Sequence, residues 1–244
     1  MTDIENIEVE PKHISILVPT YNRHQFLPLF TFNILHMNYP KPLLELLIYD
    51  DGDDSFIKDV NEYQKHISPI KLKIHKTNCR KTIGEKRNWL CKNAQHKIMC
   101  FMDDDDIYHP NYIVYSLHTL LKHRAGLVGC NQMVFCYPKL DFKLTAIKCE
   151  KKFQIHEATM MFTKKYVRSM NGFTKSSRGE GLGFIQDRDK DVELTDIQQI
   201  MICVAHDGNS VDKEMFNQDR LDMKQTLFDG SHKEIIKHIL QIKN

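Results

Sequence analysis

The chain has 244 residues, of which 41% are hydrophobic and 27% are charged, proportions typical of a globular protein with a full core. Its formal net charge of +2 gives no electrostatic reason to expect a nucleic acid as partner. No apolar run approaches the ~20 residues that a membrane-spanning helix needs, so we expect no transmembrane segment.

The N-terminal residues 1–12 are polar and acidic and lack the apolar stretch of a secretory signal peptide. The seven cysteines form no CxxC pair, which indicates reduced, buried thiols and not a disulfide framework or a zinc site. Both observations favour a cytoplasmic protein. The length favours one domain, and we expect a tail over 1–12, the domain over 13–210 and a helical tail over 211–244.

The first half of the chain alternates predicted strands with predicted helices. Apolar, β-rich runs predict strands over 13–18, 43–49, 70–74 and 98–102, with helical patterns between them. Such βαβ units require parallel strands and right-handed crossovers. We therefore expect an α/β fold with a single Rossmann-like, mostly parallel central sheet flanked by helices.

Polar clusters follow three of these strands. They are Pro19-Thr20-Tyr21-Asn22-Arg23, Asp50-Asp51-Gly52-Asp53-Asp54-Ser55 and Asp103-Asp104-Asp105-Asp106. In an open parallel sheet, ligands bind beyond the carboxyl ends of the strands. We therefore expect the three clusters to share one site.

The four consecutive aspartates carry the clearest chemical signal. Each close pair of carboxylates repels by about 1 kcal/mol even at the dielectric constant of water, and folding alone does not require that cost. A hard divalent cation such as Mg²⁺ or Mn²⁺ is held by one or two carboxylates together with the oxygens of a bound phosphate. We therefore predict a metal site, with a solvated acidic loop that caps the helix near Pro110 as the alternative.

The second half of the chain is less regular. The pattern predicts helices over 111–122 and around 235–240, and strands over 126–137, 142–148, 158–163 and 197–205. Glu180 lies between two glycines after the third of these strands, and a charged run over 187–193 follows it.

Four motifs, in order, resemble those of the family 2 glycosyltransferases with the GT-A fold. They are SILVPTYNR, LLIYDDGDDS, GEKRNWLCKNA and IMCFMDDDDIYHPNYI, within residues 13–175, and the resemblance continues more weakly to residue 210. It implies a metal-dependent enzyme that moves a sugar, with inversion, from a nucleotide diphosphate sugar, expected to be UDP-linked, to an acceptor hydroxyl. The acceptor would be a glycan, a glycolipid or a glycoprotein. Residues 13–106 would form the nucleotide-sugar-binding half, and residues 107–210 the acceptor or catalytic half, with a small acceptor-side subdomain.

The resemblance also implies site residues. Those expected to bind the nucleotide sugar are Pro19, Thr20, Tyr21, Arg23, Asp50, Asp51, Gly84, Arg87, Asp103 and Asp104. Those expected to bind Mn²⁺ or Mg²⁺ are Asp103, Asp105 and His206, with Asp104 and Asp106 as close alternates. Gly84 would permit close approach of the donor, and Lys86 and Arg87 would face its phosphates, unless both cations lie on a solvated helix face. The alternative for His206 is an ordinary turn residue that does not contact the metal.

The general base of the family's inverting members is expected in an acidic turn after the central sheet. Glu180 is the best match, although Gly181 stands where a second acid is usual. Asp187 is the competing candidate, with Asp189 and Asp191 beside it. The alternative for the whole segment is a solvated loop.

Two other functions fit part of the pattern. A metal-dependent phosphohydrolase or nucleotidyltransferase also places paired aspartates at a strand end, but it gives residues 19–22 and 50–51 no role. A catalytically weak or inactive nucleotide-sugar-binding or scaffold protein would share the fold without a base, as the incomplete turn at Glu180 allows. The donor sugar, the acceptor and the oligomeric state stay open.

Overall fold

The computed structural model describes residues 9–151, 154–185, 189–209, 211–217 and 230–242. Its strands are β1 (Ile14–Thr20), β2 (Leu44–Asp50), β3 (Lys71–Lys76), β4 (Ile98–Phe101), β5 (Ile107–Tyr108), β6 (Leu127–Gly129), β7 (Gln132–Tyr137), β8 (Lys143–Lys148), β9 (Met161–Thr163), β10 (Val192–Leu194) and β11 (Met201–Val204). Its α-helices are α1 (Leu27–His36), α2 (Val60–His66), α3 (Ile83–Asn93), α4 (Tyr112–Lys122), α5 (Lys164–Arg168), α6 (Leu182–Ile185) and α7 (Gly230–Leu240). Among the described residues, no helix is long and apolar enough to cross a membrane.

The central sheet has seven strands in the order β10-β6-β9-β4-β1-β2-β3. β1 pairs in parallel with β2 and β4, and β2 pairs in parallel with β3. β9 runs antiparallel to β4 and β6, whereas β10 is parallel to β6. The predicted α/β architecture with a mostly parallel sheet is confirmed.

Burial explains why the strands of the first half were visible in the sequence. Every residue of β2 and nearly every residue of β1 is buried, so both strands read as continuous apolar runs, as interior strands of a parallel sheet do. β3 lies at the edge and alternates instead, with exposed lysines at Lys71 and Lys76. Charged side chains of this kind protect an edge strand from pairing with another chain.

A second sheet of four strands, β5-β11-β7-β8, lies in the second half of the chain. β11 is antiparallel to β5 and parallel to β7. The prediction of one strand over 126–137 is wrong, because β6 ends at Gly129 in the central sheet and β7 begins at Gln132 in the second sheet. The chain leaves the first ladder at Cys130, whose N–H donates to the hydroxyl of Thr159 at 2.8 Å.

The sheet order brings the three polar clusters to one edge. β1, β2 and β4 are parallel neighbours, and the clusters follow their carboxyl ends. The ends of β5 and β11 join this edge from the second sheet, because the segment from Asp106 to Tyr108 passes from one sheet to the other.

Asn33 of α1 fixes the course of the chain just after the four aspartates. Its side chain is buried, its Nδ2 donates to the carbonyl oxygen of Asp106 at 2.8 Å, and its Oδ1 accepts from the N–H of Tyr108 at 3.2 Å. Two backbone groups that no longer belong to the central sheet are thereby satisfied.

Replacing Asn33 with Ala should lower the free energy of unfolding by about 2 kcal/mol or more. The variant leaves two buried backbone groups without a partner, and each costs about 1–3 kcal/mol. Urea denaturation measures the change. Asn38→Ala is the control, because the amide of Asn38 is exposed and bonds Asn111 at 2.8 Å, so its change should stay within about 0.5 kcal/mol. Equal losses in the two variants would contradict the role of Asn33.

Candidate active site

A cavity of about 600 Å³ opens at the carboxyl ends of β1 and β4. The predicted site residues that line it are Pro19, Thr20, Tyr21, Arg23, Arg87, Asp103, Asp104 and Asp105. Lys86 and the turn at Gly208 and Asn209 line it as well. The structure therefore brings the loop after β1, the start of α3 and the aspartates together, as the sequence predicts.

Asp105 joins the loop after β4 to the turn after β11. The Nδ1 atom of His206 accepts from the N–H of Gly208 at 3.1 Å, so the proton of the neutral ring lies on Nε2, which donates to Oδ2 of Asp105 at 3.0 Å. The guanidinium of Arg23 lies 3.5 Å from the same oxygen. Burial alone would raise the pKa of Asp105, but His206 and Arg23 outweigh it and lower that pKa. Asp105 is thus held as a carboxylate.

Its two neighbours differ from it. Burial, assisted by the charge of Asp105, raises the pKa of both Asp104 and Asp106 well above the usual range. Oδ1 of Asp106 accepts from the N–H of Val204 at 3.0 Å and so holds β11 in place. Oδ2 of Asp104 is buried and has no hydrogen-bond partner among the described residues. The loop therefore favours the neutral form of these two acids while Asp105 keeps its charge.

The donor atoms at this loop suit Mn²⁺ or Mg²⁺, since carboxylate oxygens suit both ions and imidazole suits Mn²⁺. Within the described part of the chain, no group of three or more His, Cys, Asp or Glu side chains is arranged to hold a metal. Asp105 and His206 lie within hydrogen-bond distance of each other, and such ions commonly take one or two carboxylates together with substrate phosphates. The residues fit an ion that binds together with a diphosphate.

Asp50 and Asp51 bind the protein's own groups and do not line the cavity. Asp50 accepts from two backbone N–H groups of the turn that follows β2, at 3.0 and 2.9 Å. Asp51, whose side chain is fully buried, accepts from the N–H of Lys81 at 2.6 Å and forms an ion pair with Lys86. Contact of either carboxylate with a donor stays a prediction.

The cations of α3 are buried, so the alternative of a solvated helix face is wrong. Lys86 and Arg87 are each only 4% exposed. Nζ of Lys86 donates to the carbonyl oxygen of Thr20 at 2.8 Å and so ties α3 to β1. Nε of Arg87 donates to Glu180 at 3.1 Å, and its Nη2 lies 3.4 Å from Asp103. Arg87 thus connects the aspartate loop with the turn of the predicted base.

Gly84 makes its close contact with the protein itself. A Cβ atom at this position would overlap the carbonyl oxygen of Thr174, and the N–H of Gly84 donates to Ser176 at 2.9 Å. The start of α3 is therefore packed against the loop that leads to Glu180. The predicted approach of a donor to Gly84 is not tested.

A second cavity of about 240 Å³ adjoins the first and shares Arg87, Asp103 and Asp105 with it. Glu180 lines this cavity and is 4% exposed, so the solvated-loop alternative is wrong at this residue. Asp187 lies outside the described residues. Asp191 precedes β10 at the far edge of the central sheet.

Sequence reasoning missed several residues around these cavities. They are Arg80, whose guanidinium lies 4.1 Å from the ring centroid of Tyr21, and His156, Glu157 and Lys213 of the smaller cavity. Burial would lower the pKa of Lys213, but the negative charge of the nearby aspartates outweighs it and raises that pKa. None of these residues lies in a motif. The sequence could only have suggested that some cations would gather around the acidic loop, without saying which.

The comparisons with known proteins agree with this geometry. A family model described as glycosyl transferase family 2 matches residues 15–178. The poly(ribitol-phosphate) beta-N-acetylglucosaminyltransferase TarS of Staphylococcus aureus is 28% identical over 115 residues, which make up 47% of this chain and 20% of TarS. The matched segment therefore spans about a fifth of the length of this curated relative.

Solved structures show the same fold. TarS 1–349 of S. aureus in complex with UDP-GlcNAc superposes with a TM-score of 0.61 at 14% identity, covering 93% of this chain and 71% of that one. The mannosyltransferase PcManGT from Pyrobaculum calidifontis, in complex with GDP-Man and Mn²⁺, gives a TM-score of 0.63 at 16% identity, with 86% and 61% covered. The predicted GT-A fold is confirmed.

Replacing Asp51 with Ala should destabilise the protein, because it leaves Lys86 buried without its ionic partner. Breaking a buried ion pair on one side costs about 3–5 kcal/mol. Urea denaturation measures the loss, and Asp53→Ala is the control, since Asp53 is exposed in the same turn. An unchanged free energy of unfolding combined with lost nucleotide-sugar binding would instead make Asp51 a ligand contact.

Proposed function

The chain belongs to glycosyl transferase family 2, and we propose that it is a metal-dependent, inverting enzyme that moves a sugar from a nucleotide diphosphate sugar to an acceptor hydroxyl. The observation that supports this most is the pair of adjoining cavities, which share Asp103, Asp105 and Arg87. The larger cavity has the cations that a diphosphate needs. The smaller cavity has the carboxylates of Glu157 and Glu180, beyond the shared residues. A transferase requires this division between donor and acceptor.

The larger cavity suits the donor. The Tyr21 ring with the guanidinium of Arg80 beside it offers a flat surface to a nucleobase. Arg23, Lys86 and Arg87 surround the place where the diphosphate would lie. A UDP-linked sugar is the donor that we favour, because the related TarS has been solved with UDP-GlcNAc and with UDP.

The residues that would hold Mn²⁺ or Mg²⁺ are Asp105 and His206, with Asp103 next to them. A bound ion would act as a Lewis acid and neutralise charge on the departing diphosphate. The turn at Gly208 would have to release Nδ1 of His206, because Nε2 carries the proton while Nδ1 accepts from Gly208. The Mn²⁺ complex of the structurally similar PcManGT supports a metal in this fold.

The acceptor enters through the smaller cavity. Its hydroxyl oxygen attacks the anomeric carbon on the side opposite the diphosphate, so a single displacement inverts that centre. The hydroxyl proton must pass to a side chain on the acceptor side. Glu180, the base that the sequence predicts, and Glu157 line this cavity, whereas Asp187 is a candidate outside the described residues. We propose a glycan, glycolipid or glycoprotein acceptor and a cytoplasmic location.

The proposal is tested first by donor binding. UDP-GlcNAc with Mn²⁺ should raise the melting temperature, since a ligand at 100 times its Kd stabilises a protein by ~2.7 kcal/mol. EDTA should remove the shift in melting temperature. In the presence of Mn²⁺, slow release of UDP should accompany binding. GDP-mannose with Mn²⁺ serves as the comparison for base preference. Failure of all nucleotide sugars to bind would refute the function, and binding without UDP release would indicate the scaffold alternative.

Replacing Asp105 with Ala should abolish Mn²⁺-dependent donor binding, because it removes the carboxylate that we expect to bind the metal next to His206. The free energy of unfolding should fall, since Arg23 and His206 lose the carboxylate that they hold in its charged form. Calorimetric titration of UDP with Mn²⁺ measures the first effect and urea denaturation the second. Asp207→Ala is the control, because Asp207 adjoins His206 but its side chain is 88% exposed. UDP affinity equal to that of the wild type would exclude the metal role.

A further inference from the structure

The space beside Gly181 is filled by a carboxylate from elsewhere in the chain. A Cβ atom at Gly181 would lie 2.5 Å from Oε1 of Glu157, and the N–H of Gly181 donates to that oxygen at 2.9 Å. Glu157 belongs to the short 3₁₀ turn Glu157–Thr159 that precedes β9. An acid that is remote in sequence therefore stands next to Glu180, where the turn itself has only a glycine.

The two glutamates differ in their partners. Oε1 of Glu180 accepts from Nε of Arg87 at 3.1 Å, and the side chains of both are nearly fully buried. Oε1 of Glu157 accepts from the N–H of Gly181, and the carboxylate also accepts from the backbone N–H of Glu157 itself. Both residues line the smaller cavity together with Asp103 and Asp105. Glu157 therefore offers a carboxylate that forms no ion pair among the described residues where an acceptor hydroxyl would lie.

The charges around Glu157 suit a proton acceptor. Burial and the negative charge of Glu180 raise the pKa of Glu157, and Arg87 offsets this only in part. A base is most effective when its pKa lies near the working pH. His156 lines the same cavity, but burial, with the charges of Lys213 and Arg87, lowers its pKa to about 3, so it binds a proton poorly.

Arg87 provides a second, independent sign that a ligand belongs here. It is 4% exposed, yet its Nη1 is buried without a hydrogen-bond partner among the described residues. A guanidinium with one unpaired nitrogen between two cavities is suited to a further anionic or hydroxyl oxygen.

We propose that Glu157 is the general base of the sugar transfer and that Glu180 serves as the ionic partner of Arg87. The inference rests on the proposed function and replaces Glu180 in the role that the sequence predicts for it. The acceptor oxygen forms its bond to the anomeric carbon while the bond from that carbon to the diphosphate breaks, and the electron pair leaves with the diphosphate. The hydroxyl proton passes to Oε2 of Glu157.

The test uses Mn²⁺-dependent release of UDP from UDP-GlcNAc, with water as the acceptor. Glu157→Gln should lower the rate by about 10²–10⁴-fold, the usual contribution of a general base, and leave UDP affinity unchanged. Glu150→Gln is the control, because Glu150 is exposed and close in sequence, and it should keep the wild-type rate. If Glu157→Gln keeps more than about a tenth of the wild-type rate, the loss is smaller than even the low end of that range, and the assignment is wrong.

Two rescues separate a lost base from a damaged turn. Glu157→Ala vacates the space next to Gly181, so Gly181→Asp in that background returns a carboxylate from the other side. Gly181→Asp alone should fit poorly, because its Cβ would meet Glu157. Sodium azide should also restore UDP release in Glu157→Ala, since the azide anion attacks without losing a proton and yields a glycosyl azide.

Recovery of UDP release by either rescue supports Glu157 as the base. Failure of both would show that Glu157 only holds the turn, and the assignment would then be wrong. Failure of the proposed function would look different, because the wild-type protein itself would bind no nucleotide sugar.

Discussion

The negative charge gathered after β4 is the constraint on which the construction of the site depends. Asp104, Asp105 and Asp106 are all buried, so solvent screens their repulsion poorly. Cations approach them from separate parts of the chain: Arg23 follows β1, and Lys213 follows β11. The parallel pairing of β1 with β4 makes this compensation possible, because it places the ends of two strands that are distant in sequence side by side.

Arg23 links that compensation to ligand binding. Its guanidinium contacts Asp105 and also donates to the carbonyl oxygen of Gly208, in the turn that sets the tautomer of His206. A cation bound at Asp105, as the proposed function requires, would compete with Arg23, and a bound diphosphate would offer Arg23 another anion. Under the proposed function, metal, diphosphate and the turn after β11 would therefore be coupled through one side chain.

The sequence was sufficient for features that depend on local pattern. Buried parallel strands read as apolar runs, and turns at their carboxyl ends had to share an edge, so β1, β2, β4 and the aspartate loop were predictable. Contacts between distant segments were not predictable. The carboxylate of Asp51 pairs with Lys86 of α3, and Gly84 packs against the loop before Glu180, because tertiary contacts decided what those residues touch. The break between β6 and β7 was missed for the same reason, since the run stays apolar while the chain changes sheets.

The glycine at 181 illustrates how far such a contact can change an interpretation. Taken alone, Gly181 indicates a turn that lacks its usual second acid, which leaves open a protein that binds a donor without transferring its sugar. In the fold, a side chain at 181 and the carboxylate of Glu157 would compete for one place, and the N–H of Gly181 holds that carboxylate. Because Gly181 has no side chain, the carboxylate of Glu157 can occupy the space next to it. The turn and the 3₁₀ segment before β9 each supply one acid, and Arg87 of α3 supplies the guanidinium between them, a set that no one segment has by itself.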